Sequence, residues 1–343
     1  MDVITLGAAL ALAGKQIDEV KKSVATITGP DELKKICENG DAAKYFSVGD
    51  AIVIPWTNYT PSTPVRYDYP FVVVDIADCY DDHDQVHHNA LWLMAQYAVP
   101  EDMIFDEAEA VSASGTFQDG LHYFTKNGDS YVEDTTVTPG ETIGSGYYVH
   151  SIGNASILRY GYNNYKKSAV RQWLNSDAAK NENWWTAQHD YDVSPSSTYT
   201  NKPGWLFGFD EDWLTIFKPV KVQVATNTVT DGGLTDVMYD KFFLPSVEQI
   251  YGSPQAEGIE GPYWPWWKTA TGLESPSNGD SSHPNDARKI KAIANRKGSA
   301  VNCRLRSAYR GFAVTTWLVS TGGYLGSSYA YFTVRCQPAC VIY

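Results

Sequence analysis

The chain has 343 residues, of which 43% are hydrophobic and 20% charged, and its formal net charge is −13. This balance suits a folded protein with one large core or two smaller ones. The negative charge argues against nucleic acid or an anionic membrane surface as partner, because both are bound through Lys and Arg.

At the front, Leu6, Leu10, Ala13, Ile17, Val20, Val24 and Ile27 form an unbroken a/d heptad, ended by Gly29-Pro30. β-branched residues at both a and d lean toward trimers. Residues 1–29 are therefore expected to be an N-terminal helix, either a trimeric coiled coil or an amphipathic helix packed on its own domain. No signal peptide is expected, because Asp2 stands where a basic region belongs.

Next, "DELKKICENGDAAKYF" predicts a short capped helix, and "FSVGDAIVIPW" and "YPFVVVDIAD" predict strands. "VHHNALWLMAQYAV" fits a strand or a helix. Residues 108–156 are rich in Gly, Ser, Thr and Asp and read as hairpins and loops, so residues 30–155 are expected to form a small β-rich domain. "SAVRQWLNS" predicts a helix, and "GWLFGFDEDWLTIFKPVKVQVAT" a helix running into a strand. "DKFFLPSVEQIYG" predicts a strand and a capped turn, in which Ser246 precedes Glu248. "PYWPWWKTATGLESPSNGDSSHPNDA" reads as a long loop. The final strands start near Cys303. No βαβ series occurs, so the fold class is α+β, with an irregular C-terminal domain over 156–343.

Chemistry is sparse. "DCYDDHDQVHHN" is the densest polar cluster; His83 and His87 have the i, i+4 spacing of helical metal ligands, but the aspartates around them favour a solvated loop. Neither metal nor cofactor is expected. His150, His189, Asp240 and Glu248 have no spaced partner that would make a nucleophile–base pair, so no catalytic residue is assigned. Arg171, Arg306, Asp240 and Glu248 are expected to pair inside the domain. Cys37, Cys79, Cys303, Cys336 and Cys340 form no CxxC pair and read as reduced core residues. On one extended strand, Cys336 and Cys340 would lie roughly 13 Å apart, too far to bridge.

The C-terminus is unusual. Ser307–Val334 contains one charge, Arg310, and seven aromatics, Tyr309, Phe312, Trp317, Tyr324, Tyr329, Tyr331 and Phe332, among Ser, Thr, Gly and Ala. Buried strands favour Val, Ile and Leu instead. Tyr, Ser and Gly give paratopes large contact area at low entropic cost. An exposed binding face and an ordinary sheet core both remain open for this stretch.

Several motifs occur in order: Arg171, Trp173, Leu174 and Asn175, then Trp184-Trp185, then Phe243, Leu244, Ser246 and Glu248, then Leu305, Arg306 and Ser307, and a closing "QPACVI". This set resembles a domain family of bacterial and prophage proteins with the patterns R-x-W-L-N, F-L-x-S-x-E, L-R-S-P and a final R-P-A. Ala308 and Gln337 depart from it, standing where Pro and Arg are common. That family is similar to the C-type-lectin-like fold shared with formylglycine-generating enzymes, which includes the variable proteins of diversity-generating retroelements.

In such proteins, mutated adenines spread Asn codons over a set that includes Tyr, Phe, Ser, Thr, Gly, Ala and Arg and excludes Lys, Glu, Gln, Met and Trp. Ser307–Val334 lacks the first four, and its single Trp, Trp317, falls where the family pattern has a scaffold aromatic. The resemblance therefore implies a variable, ligand-binding set of Tyr309, Arg310, Phe312, Thr315, Thr316, Tyr324, Ser327, Ser328, Tyr329, Tyr331 and Phe332. Arg171, Trp173, Arg306, Trp317 and Pro338 are implied as scaffold. It further implies a non-enzymatic homotrimer on a phage tail, or a prophage product, that binds a protein or glycan on a host cell surface without inserting into a membrane. A structural tail or spike protein without a dedicated ligand, and a formylglycine-generating-like enzyme, are the alternatives.

Overall fold

The structure, a computed structural model, describes residues 29–109, 111–116, 122–128, 130–138, 140–150, 155–189, 192–252, 259–271 and 286–343. The N-terminal heptad lies outside the described residues.

Pro30 opens α1 (Pro30–Glu38), where its missing N–H is no loss, and Asp31 and Glu32 sit at the positive end of the helix dipole. After α2 (Ala42–Tyr45) come three long antiparallel strands, β1 (Ala51–Asn58), β2 (Val65–Tyr80) and β3 (Val86–Ala95), and then short β4 (Met103–Ile104). The segment "VHHNALWLMA" is thus a strand. The His/Asp cluster is the turn between β2 and β3, not a helix. Asp81 accepts N–H bonds from His83 and Gln85, each 2.8 Å, while His87 pairs with Asp81 at 3.1 Å and His88 with Asp78 at 2.9 Å. The two histidines of the i, i+4 pair therefore share no helix face.

Strands β5 (Val111–Thr116), β6 (His122–Asn127), β7 (Ser130–Glu133) and β8 (Thr142–His150) form a separate antiparallel sheet in the order β5-β8-β6-β7. Short helices α3 (Ala155–Tyr160), α4 (Ala169–Leu174), α5 (Ser197–Thr200) and α6 (Glu211–Leu214) follow, then the hairpin of β9 (Val220–Ala225) and β10 (Thr235–Asp240). Next are α7 (Val247–Tyr251) and α8 (Pro265–Thr271). In α7 the capping box joins Ser246 to Gln249 rather than Glu248. Helix α8 lies where a loop was expected, because Trp264 and Trp267 are fully buried and anchor it.

The chain ends in β11 (Cys303–Ala308), β12 (Thr315–Val319), β13 (Leu325–Tyr329), β14 (Thr333–Cys336) and β15 (Ala339–Ile342). Two sheets carry the main core: β1-β2-β3-β15 and β13-β12-β11-β14-β4. Only the β11–β14 pair is parallel within the second sheet. The architecture is mixed α+β.

The core does not divide at residue 155. β15 pairs with β3, and β14 with β4, so the last strands complete sheets begun before residue 105. One buried cluster runs from Leu33 to Tyr343. Cys336 and Cys340 lie on strands of different sheets, separated by a turn at Gln337-Pro338; all five cysteines are buried and free. At the centre, Trp205 packs against Trp56 (4.5 Å), Trp173 (5.8 Å) and Phe209 (5.4 Å), and its carbonyl accepts the Trp56 indole N–H. Gly208 lies so close to the Trp56 indole that a β-carbon there would overlap it. Among the described residues no helix is long and apolar enough to cross a membrane.

Candidate ligand-binding face

Strand β11 organises the C-terminal region. All six of its residues are buried, including Arg304 and Arg306, and its pairing with β12 is irregular between Arg304 and Ala308. A buried guanidinium must have its N–H groups bonded.

Arg304 donates to Thr316 Oγ1 and to the carbonyls of Ser328 (3.1 Å), Tyr329 (3.1 Å) and Phe332 (2.8 Å). Burial pushes this guanidinium down, to about 9, which leaves it charged at neutral pH. It thereby fixes the turn from Ser328 to Phe332. Asn163 fixes the neighbouring turn, with its amide donating to Phe312 O (2.6 Å) and Thr315 O (2.8 Å), and Asn227 bonds back to Asn163 at 3.0 Å.

These two clamps hold aromatic side chains outward. Phe312 is 54% exposed, Phe332 43% and Tyr329 36%. Tyr309 stacks on Trp317 at 4.5 Å and meets Phe312 at 5.1 Å. Tyr329 stacks on Tyr160 at 3.9 Å, and Phe332 contacts Tyr331 at 4.5 Å. In the β12–β13 register Trp317 faces Ser327 and Thr315 faces Tyr329. Opposed residues share a side of the sheet, so Trp317, Ser327 and Tyr329 lie on one side.

The expected set is therefore only partly brought together. Tyr309 and Phe312 group with Trp317, and Tyr329, Tyr331 and Phe332 group with Tyr160. Thr316 does not belong: it points to the inner side and is fully buried on Arg304. Thr315 is buried at the base of the 309–314 turn, where its carbonyl takes the Tyr309 N–H and the Asn163 amide. Ser328 is half-buried on the inner side. Tyr324 sits at the other end of the hairpin, with its ring against Gly322. Arg310 is spent on backbone, donating to Gly233 O (2.8 Å) and Thr226 O (3.3 Å).

Of the expected scaffold, Trp173, Arg306 and Pro338 are buried, whereas Trp317 is half-exposed and joins the face. Arg171 pairs with buried Asp240 at 2.8 Å, as expected. The acidic partner of the Arg306 region is chiefly Glu260, which sequence reasoning missed. Arg306 donates to Leu244 O (2.8 Å), Gln249 Oε1 (2.7 Å), Gln223 O (3.2 Å) and Glu260 O. The Glu260 carboxylate accepts the Ser307 hydroxyl and Ala225 N–H. Burial pushes Glu260 up to about 7, opposed by Arg306 and Ser307. A cavity of about 210 Å³ opens here, walled by Trp92, Phe243 and Trp264. Its arginine and glutamate are bonded to backbone and neighbouring side chains, and Asp75, Asp78, Tyr80 and Lys221 complete its polar lining. Arg304 was legible in principle, because a charge inside a strand-like run such as "CRLRSA" signals a buried, matched one.

Residues 140–343 match the family described as Domain of unknown function (DUF6273). The chain belongs to this family. A search of curated proteins and a search of solved structures found no match. The DUF6273 segment contains the whole aromatic face and the buried Arg304 and Arg306, but its last strand, β15, completes a sheet with β3, which lies outside the matched segment.

Proposed function

We propose that the chain is a ligand-binding protein on a C-type-lectin-like scaffold, similar to the variable proteins of diversity-generating retroelements. In this reading it is carried on a phage tail or made by a prophage. The observation that carries the reading is the exposed set of Phe312, Tyr329 and Phe332, held by backbone bonds from Arg304 and Asn163. Rings presented from a fixed backbone lose little entropy on binding.

The ligand is a neutral, partly apolar protein surface on a host cell. The one charged group of the window, Arg310, is tied to backbone. Trimerisation through residues 1–29 would add avidity to a weak single contact.

The gene's flanking DNA tests this reading. A near-copy of the codons for 307–334, differing only at adenines and close to a reverse transcriptase gene, is the expected finding. A locus without such a copy would return the protein to the structural tail or spike reading.

A further inference from the structure

Beneath the aromatic face lies a second cluster of side chains that the sequence did not bring together. Asp106 follows β4, Glu109 is three residues on, and His189 and Asp192 come from the segment between α4 and α5. One ligand atom each of Asp106, His189 and Asp192 lies within 4.8 Å of the others. His189 Nε2 is 3.3 Å from Glu109 Oε1.

Asp106 is rigidly placed. Its N–H donates to Ala330 O at 3.3 Å, and its Oδ2 accepts Tyr162 N–H at 3.1 Å. Gly161, with φ of 71°, lies so close that a β-carbon would sit 2.7 Å from Asp106 O. Asp106 is only 2% exposed, yet its Oδ1 is buried without a hydrogen-bond partner among the described residues, as is Asp192 Oδ1. A buried carboxylate oxygen left unbonded is costly, and natural folds rarely keep one without a reason.

The charges make the same point. Glu109 is fully buried, and Asp106 and Asp192 repel it and each other. Lys167 acts on Glu109 and Asp192 through space.

We infer that Asp106, Asp192 and His189, with Glu109 beside them, hold a divalent transition-metal cation. The donor set selects the metal. Calcium takes six to eight oxygens, whereas an imidazole among carboxylates suits Zn²⁺ or Mn²⁺. Tetrahedral bonds of about 2.0–2.2 Å place ligand atoms roughly 3.3–3.6 Å apart, so side-chain shifts of about an ångström close the site. The cation would tie the Asp106 segment, which bonds Ala330 and Tyr162, to the segment that carries His189 and Asp192. The inference stands independently of what the aromatic face binds.

The test uses the full-length protein, stripped with a chelator and desalted. It is titrated with MnCl₂ while the free Mn²⁺ electron paramagnetic resonance signal is followed. The expected result is one Mn²⁺ bound per chain, displaced by ZnCl₂ but not by equimolar CaCl₂, with nitrogen modulation from one imidazole in the pulsed spectrum. Asp106→Asn should weaken binding at least tenfold. His189→Gln, at the more exposed edge of the cluster, should abolish the nitrogen modulation and serves as the reporter if Asp106→Asn fails to fold. Three results would overturn the inference: no saturable uptake of Mn²⁺ or Zn²⁺, uptake unchanged by both substitutions, or binding of Ca²⁺ in preference to both.

Discussion

Two regions of this protein bury charge, and they do so differently. Around β11, Arg304 and Arg306 are fully enclosed, and their N–H groups, all but the Arg304 Nε–H, meet carbonyls, a hydroxyl, an amide oxygen and a nearby glutamate. Around Asp106, three carboxyl groups are brought together with one imidazole, and two oxygens have no hydrogen-bond partner among the described residues. Both arrangements come from the same core, so burial alone does not mark a functional site. Mismatch does: a matched network explains itself as structure, whereas an unmatched one calls for a partner from outside.

Breaking the matched side should produce the largest effect. Arg306→Ala leaves Glu260 and Glu248 buried without their cation and should cost about 3–5 kcal/mol, read from urea unfolding. A loss under about 1 kcal/mol would mean that the network is not matched as described.

The pH dependence sharpens the same contrast. Glu260 has its pKa raised from 4.5 to about 7 in the fold. A group raised in this way contributes stability that is fully present below its unfolded pKa and is lost as pH rises through the folded value. Unfolding free energy should therefore fall between about pH 4.5 and pH 7, by an amount on the order of 3 kcal/mol. Glu260→Gln should flatten that slope, and an unchanged profile would assign it to other groups.

Much of this was readable beforehand, and what escaped has a physical cause. The strands "AIVIPW" and "FVVVDI" announced themselves through β-branched residues, and Ser168 caps α4 as "SAVRQWLNS" suggested. The aromatic window was visible as a missing charge. Thr316 was misplaced because composition cannot say which side of a strand faces inward; register does, and it is set by β13, whereas Thr315 lies on the outer side but is buried at the base of the 309–314 turn. The expected boundary at 155 failed because strand partners distant in sequence, β3 and β15, leave no local signal. Asp106, Glu109, His189 and Asp192 were missed for the same reason, since their two segments lie about 80 residues apart and only tertiary packing joins them.

The smallest effects test the aromatic face itself, because a replaceable surface on a fixed scaffold makes an asymmetric prediction. Thr316 and Phe332 both belong to the set implied as variable, yet Thr316 is fully buried and Phe332 is 43% exposed. Thr316→Val keeps the branched shape but removes the hydroxyl that accepts from Arg304. It should cost about 1–3 kcal/mol, since a buried donor is left unbonded. Phe332→Ser loses only ring contacts with Tyr331 and Tyr329 at the surface and should cost under about 1 kcal/mol. Thermal or urea unfolding of the two variants gives the comparison directly. Equal losses would mean that the rings are holding the fold together, and the exposed cluster would then be the outer layer of the core rather than a surface kept free for a ligand.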